Sequence, residues 1–277
     1  MRLRTVMVAG LLASVTSVLA AHDLFLTLRE YFVPPQTDLR LTALNGTFST
    51  SENSIDRARI ADLSLVTPAG RRRLDTTAVS AENSRTAIAV RTEAAGTYVA
   101  GMSTKPSEIP LAAKEFNAYL AEEGLGAVLA QRRRAGELGK PAREQYAKHV
   151  KVIFQVGAAR SEGWGTTLGY PVEIIPLRNP YQLATGDTLK FRLLVNGAVS
   201  PAGQEVLAGG RTPSGARRTV RHLTTNAAGE VALTRVAAGT WYVKFIHMSK
   251  AQTPGLDYVS QWATLTFAVG GPPGKAP

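Results

Sequence analysis

Short runs in which apolar and polar residues alternate fill the chain from about position 23 onward, each closed by Gly, Pro, Asn or Asp. Alternation with a period of two is the mark of a half-buried β-strand, whose successive side chains point to opposite faces. In a first half the runs predict strands over 23–28, 38–45, 60–66, 86–91, 97–102 and 149–156. In a second half they predict strands over 171–175, 188–195, 204–207, 218–223, 230–235, 240–248 and 261–269. Strands this short and this regularly punctuated predict a mainly β chain built from antiparallel sandwiches.

The two halves repeat one plan. Leu39-Arg40-Leu41-Thr42-Ala43-Leu44-Asn45-Gly46 matches residues 189–197 in kind, an alternating strand ending in Asn-Gly. Thr67-Pro68-Ala69-Gly70 echoes Thr212-Pro213-Ser214-Gly215, and Ala94-Ala95-Gly96-Thr97-Tyr98 echoes Ala237-Ala238-Gly239-Thr240-Trp241. The strands that follow end in Gly101-Met102-Ser103 and His247-Met248-Ser249, and residues 152–157 parallel 265–270. Single matches are ordinary hairpin grammar, but all fall in the same order, which predicts two tandem immunoglobulin-like or prealbumin-like antiparallel β-sandwiches. One interval differs. Where the second copy has a short loop at 250–260, the first has 104–148, rich in Ala, Leu, Glu and Arg. Leu111, Phe116, Tyr119, Leu120, Val128 and Leu129 follow helical spacing there, while Gly124 and Gly126 break the first helix. Gly139-Lys140-Pro141 sets off a last short turn ending near Tyr146. The expected layout is a first sandwich at 21–157 with an inserted pair of helices at 104–148, a linker at 158–165, a second sandwich at 166–270 and a disordered tail at 271–277.

A different pattern precedes the first strand. Met1-Arg2-Leu3-Arg4 is a short positive stretch, 5–19 is uncharged and mostly apolar, and small residues around Ala20 and Ala21 suit a signal peptidase. Residues 1–20 therefore read as an export signal, too short for a stable anchor, and no later run reaches about 18 consecutive apolar residues. The mature chain is expected in the periplasm of a bacterial envelope. It contains no cysteine, which excludes disulfides, thiolate metal sites, cysteine nucleophiles and a cysteine-borne lipid anchor. The net charge of +11 falls to +9 once Arg2 and Arg4 leave with the signal. Its clusters (71–73, 132–134 and 217–218) are scattered and not interleaved with aromatics. Solvated surface, or attraction to an anionic envelope, follows rather than nucleic-acid binding.

The cut site is where chemistry enters. Cleavage after Ala20 leaves His22 second in the mature chain, and cleavage after Ala21 leaves it first. Either way an α-amine and an imidazole stand side by side, a nitrogen pair suited to nickel, cobalt or copper; the plainer reading is a polar residue after a cut. The amine must be deprotonated to bind, and its reference pKa is about 8, so binding would weaken below about pH 7. Three other histidines exist. His247 shares a strand face with Trp241, Val243 and Phe245, either capping a core edge or emerging at the rim as a ligand. His149, opposite Val150, Val152, Phe154 and Val156, is expected to face solvent, and His222 to lie on a polar surface strand. Glu173 is the odd charge in Pro171-Val172-Glu173-Ile174-Ile175-Pro176: an outward edge residue, an arginine partner, or an acceptor behind a metal-bound histidine. No Gly-x-Ser-x-Gly, His-Glu-x-x-His or phosphate-loop motif is present, so no enzyme is expected. A copper oxidase built on an N-terminal histidine would need a second, facing imidazole.

The start Ala21-His22-Asp23-Leu24-Phe25-Leu26 resembles the Ala-His-x-hydrophobic opening of a bacterial periplasmic family, domain of unknown function 4198. Its members are grouped with periplasmic components of cobalt and nickel uptake systems. Also similar are residues 168–176, Pro180-Tyr181-Gln182-Leu183, Gly186-Asp187, the turn 225–230, Gly239-Thr240-Trp241 and His247. The resemblance spans nearly the whole mature chain. It implies a metal role for His22 and His247, and less firmly Glu173, with the amine of Ala21 or His22 as a further donor. Nickel or cobalt is the implied ion, copper less so, and a membrane metal transporter or other envelope partner is implied beside it. The other expectation is a non-enzymatic module that binds a partner protein or envelope glycan through its loops and the helices at 104–148, with no metal.

Overall fold

The computed structural model describes residues 22–271. The expected signal, Ala21 and tail residues 272–277 lie outside the described residues. The first copy comprises β1 (Asp23–Thr27), β2 (Phe32–Val33), β3 (Asp38–Gly46), β4 (Ser51–Asn53), β5 (Ile60–Thr67), β6 (Gly70–Arg73), β7 (Val79–Glu82), β8 (Arg85–Arg91), β9 (Gly96–Thr104) and β10 (Ser107–Leu111). Helices α1 (Ala113–Glu122) and α2 (Gly126–Arg134) follow, then the closing strand β11 (Ala142–Val156). The second copy comprises β12 (Val172–Pro176), β13 (Leu189–Val195), β14 (Ala198–Val199), β15 (Glu205–Arg211), β16 (Arg221–Thr224), β17 (Glu230–Leu233), β18 (Gly239–Lys250) and β19 (Tyr258–Val269).

The repeated motifs become a repeated topology. In the first copy β1 pairs with β3, β3 with β8, β5 with β6 and β9, and β9 with β11. In the second β12 pairs with β13, β13 with β17, β15 with β16 and β18, and β18 with β19. Strand for strand the two schemes coincide. The agreement reaches single bonds. Tyr98 Oη donates to the carbonyl of Ala94 at 2.8 Å, and Trp241 Nε1 donates to that of Ala237 at 2.8 Å, each ring buried and tied to the residue four before it.

The larger sheets of the two copies are fused. β11 pairs with β19 in parallel, residues 144–152 against 258–266, so that one ten-stranded sheet runs through both sandwiches. Parallel pairing occurs here and where the two residues of β2 meet β11, against the antiparallel pattern elsewhere. An axis that relates two parallel neighbours runs along the strands and turns the sheet over. The smaller sheets therefore cover opposite faces. Lys148, Thr264 and Thr266 reach β3 and β1 on one face, whereas Lys151 reaches Glu173 of β12 on the other.

What remains of each face is covered too. Phe116, Tyr119 and Leu120 of α1 pack on Ile246, Tyr258 and Trp262 of the second half. α1 ends in a left-handed Gly124 (φ +74°), with Leu125 N–H returning to the carbonyl of Leu120 at 3.0 Å. Arg132 is not surface: its guanidinium is buried, donates to the carbonyls of Glu137 (2.7 Å) and Lys140 (2.6 Å), and lies 4.9 Å from the Phe116 ring. On the first half, residues 158–171 lie against β9 and β5 instead of crossing open space: Thr97 N–H donates to Ser161 Oγ at 2.9 Å, and Tyr170 Oη to Asp62 at 2.8 Å. Two expectations are corrected by this double cover. Residues 142–146, expected as turn, belong to the long β11, and His149, expected in solvent, is only 3% exposed.

Candidate functional site

β1 carries His22 into the fold. It pairs with β3 along one edge, and its other edge would leave carbonyls without partners. Side chains from the shared sheet fill that need. Lys148 Nζ donates to the carbonyl of His22, Thr264 Oγ1 to that of Leu24 at 2.8 Å, and Thr266 Oγ1 to that of Leu26. Three alternate carbonyls are thus held from below, and the first described residue is clamped. Replacing Thr264 and Thr266 together with valine keeps their shape and strands two buried acceptors, at about 1–3 kcal/mol each. Hydrogen exchange at β1 amides should accelerate well before global unfolding; unchanged protection would show that pairing with β3 alone orders the strand.

The His22 ring is 19% exposed, and its Nε2 lies 2.7 Å from a carboxylate oxygen of Glu52 on β4. A carboxylate only accepts, so Nε2 carries a proton, and it is the neutral ring that offers the Nδ1 lone pair. No described residue engages Nδ1. Charges are packed tightly beside the start of β1. Lys148 Nζ also donates to Asn45 Oδ1 at 3.0 Å, and Asn45 Nδ2 donates to Asn53 at 2.5 Å. Asp23 and Glu123 both accept from Lys244, Glu123 at 2.5 Å, while the second oxygen of Asp23 is buried with no partner among the described residues. Burial and then the charge of Asp23 push the Glu123 carboxyl up. Burial opposes the charge of Lys244, but the two carboxylates outweigh it and hold its pKa above the ordinary lysine value.

Behind the clamp lies a second buried group of charges. Glu144 on β11 accepts from Ser260 and, at 3.2 Å, from Tyr119 of α1; its other oxygen is buried without a partner among the described residues. Burial raises its pKa to about 7, partly offset by those hydrogen bonds. Burial lowers Lys148 to about 8.

The other expected ligands are elsewhere. His247 alternates with Ile246 and Met248, which pack toward the helices, so it points to the opposite face of the sheet from His22; burial lowers its pKa. Glu173 is buried, and its partner is a lysine rather than an arginine: Lys151 Nζ donates to it at 2.9 Å. The backbone N–H groups of Leu168, Gly169 and Tyr170 donate to the same carboxylate at 2.9–3.2 Å, so its hydrogen bonds go to these groups and Lys151 rather than to a histidine. His149 sits between Ser103 Oγ (2.9 Å) and Gln261 Oε1 (2.7 Å) in a closed interior; burial lowers its pKa and keeps it neutral. Among the described residues no three His, Asp or Glu side chains gather as a metal cage. His22, Glu173 and His247 therefore do not form one site. The side chains that engage His22 are Glu52, at its ring, and Lys148, at its carbonyl.

Likeness to solved structures is remote. The D0–D1 domain of Intimin is matched at 11% identity over 89% of this chain and 98% of that one, with a TM-score of 0.21. Latent PorU from Porphyromonas gingivalis (11%, TM-score 0.21) and a DUF4785 family protein from Legionella pneumophila (10%, TM-score 0.24) are matched over 90% and 79% of this chain. This chain spans only 20% and 50% of those two proteins, and scores so low carry no functional argument. No curated protein matches. No helix among the described residues is long and apolar enough to cross a membrane. A family model does match, over residues 19–249, from the strand that carries His22 to the strand that carries His247: the chain belongs to the family defined by the domain of unknown function DUF4198.

Proposed function

We propose that this protein is exported and binds one divalent transition-metal ion, nickel or cobalt before copper, at its mature N-terminus, in the service of a metal-uptake system. The observation that carries the reading is the double fixing of His22: its carbonyl is held by Lys148 and its Nε2 by Glu52 at 2.7 Å. A carboxylate on one ring nitrogen is how proteins orient a metal-ligating histidine and raise its basicity. The nitrogen left over, Nδ1, is the one that closes a six-membered chelate with the amine or amide nitrogen of the same residue. The donors are then the newly freed amine, His22 Nδ1 and, if His22 comes second, its own backbone nitrogen. Glu52 acts as the orienting residue, and the ion supplies Lewis acidity that the site stores rather than uses.

Titration of the processed protein with nickel, cobalt and copper tests this, beside a form acetylated at its N-terminal amine and the variants His22→Ala and Glu52→Gln. One ion should bind per chain. His22→Ala should abolish binding, acetylation of the amine should remove most of it, and Glu52→Gln should weaken it by about 10–100-fold. Equal affinity in all four forms would sink the proposal and favour the other reading, a non-enzymatic module for a partner protein or envelope glycan.

A further inference from the structure

Some arginines of the chain sit against carboxylates: Arg71 and Arg73 meet Asp62, Arg91 meets Asp38, Arg143 meets Glu108 and Arg192 meets Glu230. At the edge hairpin of the second sandwich two arginines instead share one aromatic ring. Arg218 and Arg221, on and just before β16, both stack on the buried Trp241, their guanidinium carbons 4.4 and 5.3 Å from its ring centroid. They share one indole and so lie within about 10 Å of each other. Neither has a carboxylate in ion-pair reach among the described residues, and the charge that acts on Arg218 is the like charge of Arg221.

Both guanidinium groups are nevertheless held still. Arg218 donates to the carbonyl of Ala238 and Arg221 to that of Thr234. Those two carbonyls bracket a loop that carries a third, exposed arginine, Arg235, in the left-handed region at φ +50°. Holding a bulky residue there costs about 1 kcal/mol or more. The Nε of Arg218 is buried and donates to nothing among the described residues. Each guanidinium has five N–H donors, and its carbonyl contact uses only one or two of them. Like charges brought together, fixed, and left without a counterion form the electrostatic imprint of an absent anion.

We propose that Arg218, Arg221 and Arg235 form an oxyanion site for a phosphoryl group, carried either by a small phosphate ester or by a phospholipid headgroup. Planar guanidinium forks match the paired oxygens of a phosphate, and the Trp241 face pre-pays the ordering of two of them. The site lies in the second sandwich, independent of any metal at His22.

The test pairs two probes, glycerol 3-phosphate followed by calorimetry, and phosphatidylglycerol vesicles followed by co-sedimentation against phosphatidylcholine vesicles. The wild-type protein should bind one or both probes, more weakly as salt rises. Binding of the free ester points to a solute, and binding of the vesicle alone points to a headgroup. Arg221→Lys keeps the charge and loses the fork, while Arg235→Gln removes an exposed side chain with no expected effect on folding. Each should weaken binding on the order of tenfold. Arg133→Gln with Arg134→Gln on α2 removes two charges elsewhere and should leave binding within about twofold. Absence of binding to both probes, or an equal loss in the α2 variant, overturns the site.

Discussion

Glu173→Ala should lower stability by about 3–5 kcal/mol, the usual cost of removing one partner from a buried ion pair. For a chain of this size that is a fall in melting temperature of roughly 10 °C. The side chains of Lys151 and Glu173 are only 4% and 2% exposed, so water cannot replace what is lost. Burial already holds the Lys151 pKa below its ordinary value, with Glu173 acting against that shift. Without the carboxylate the ammonium would give up its proton or stay charged at high cost. Three backbone N–H groups at 168–170 lose their acceptor in the same step. The double variant Lys151→Met with Glu173→Leu should recover much of the loss, since a well-packed apolar pair often matches a buried ionic one. Metal stoichiometry should stay unchanged in every variant that folds. A stable Glu173→Ala protein that no longer binds metal would reverse the assignment and make Glu173 a ligand.

The parts of the fold legible in the sequence are those written in local grammar. Gly-Thr-aromatic after Ala-Ala marks a turn into a buried ring, and Tyr98 and Trp241 both obey it down to the same carbonyl bond. Asn196-Gly197 takes positive φ at both residues, as a tight hairpin turn demands. The parallel seam between β11 and β19 has no such mark, because it joins residues more than a hundred positions apart. That seam also explains the misread faces of β11. Alternation identifies a solvent side only when one face is wet, and here both are covered. His149, Lys148 and Lys151 therefore look like surface residues in the sequence and are buried in the fold. The same holds for the candidate site. His22 stood out through its place beside a cut, whereas Glu52 lies thirty residues away on a strand of three, and only the hairpin from β3 to β4 brings the two together.

Glu144 gives the second large expected effect, and here the sign carries the argument. Its folded pKa is about 7, whereas an unfolded glutamate titrates near 4.3. Between those values the folded state binds the extra proton, so stability falls as pH rises from about 4.5 to 7. Integrated over that window the loss is on the order of 3 kcal/mol. Lys148, lowered to about 8, acts with the opposite sign: between about 8 and 10.4 the unfolded chain holds the extra proton, and stability rises with pH. Together the two groups place a stability minimum near pH 7 to 8, beneath the strand that carries His22. Glu144→Gln cannot ionise, so urea unfolding should show its acid-side slope flattened. The variant should gain up to about 3 kcal/mol over the wild type at pH 8 and nothing at pH 4. Parallel pH profiles for the two proteins would mean that Lys148 already neutralises the ionised carboxylate, in which case Glu144→Gln should destabilise the protein at every pH.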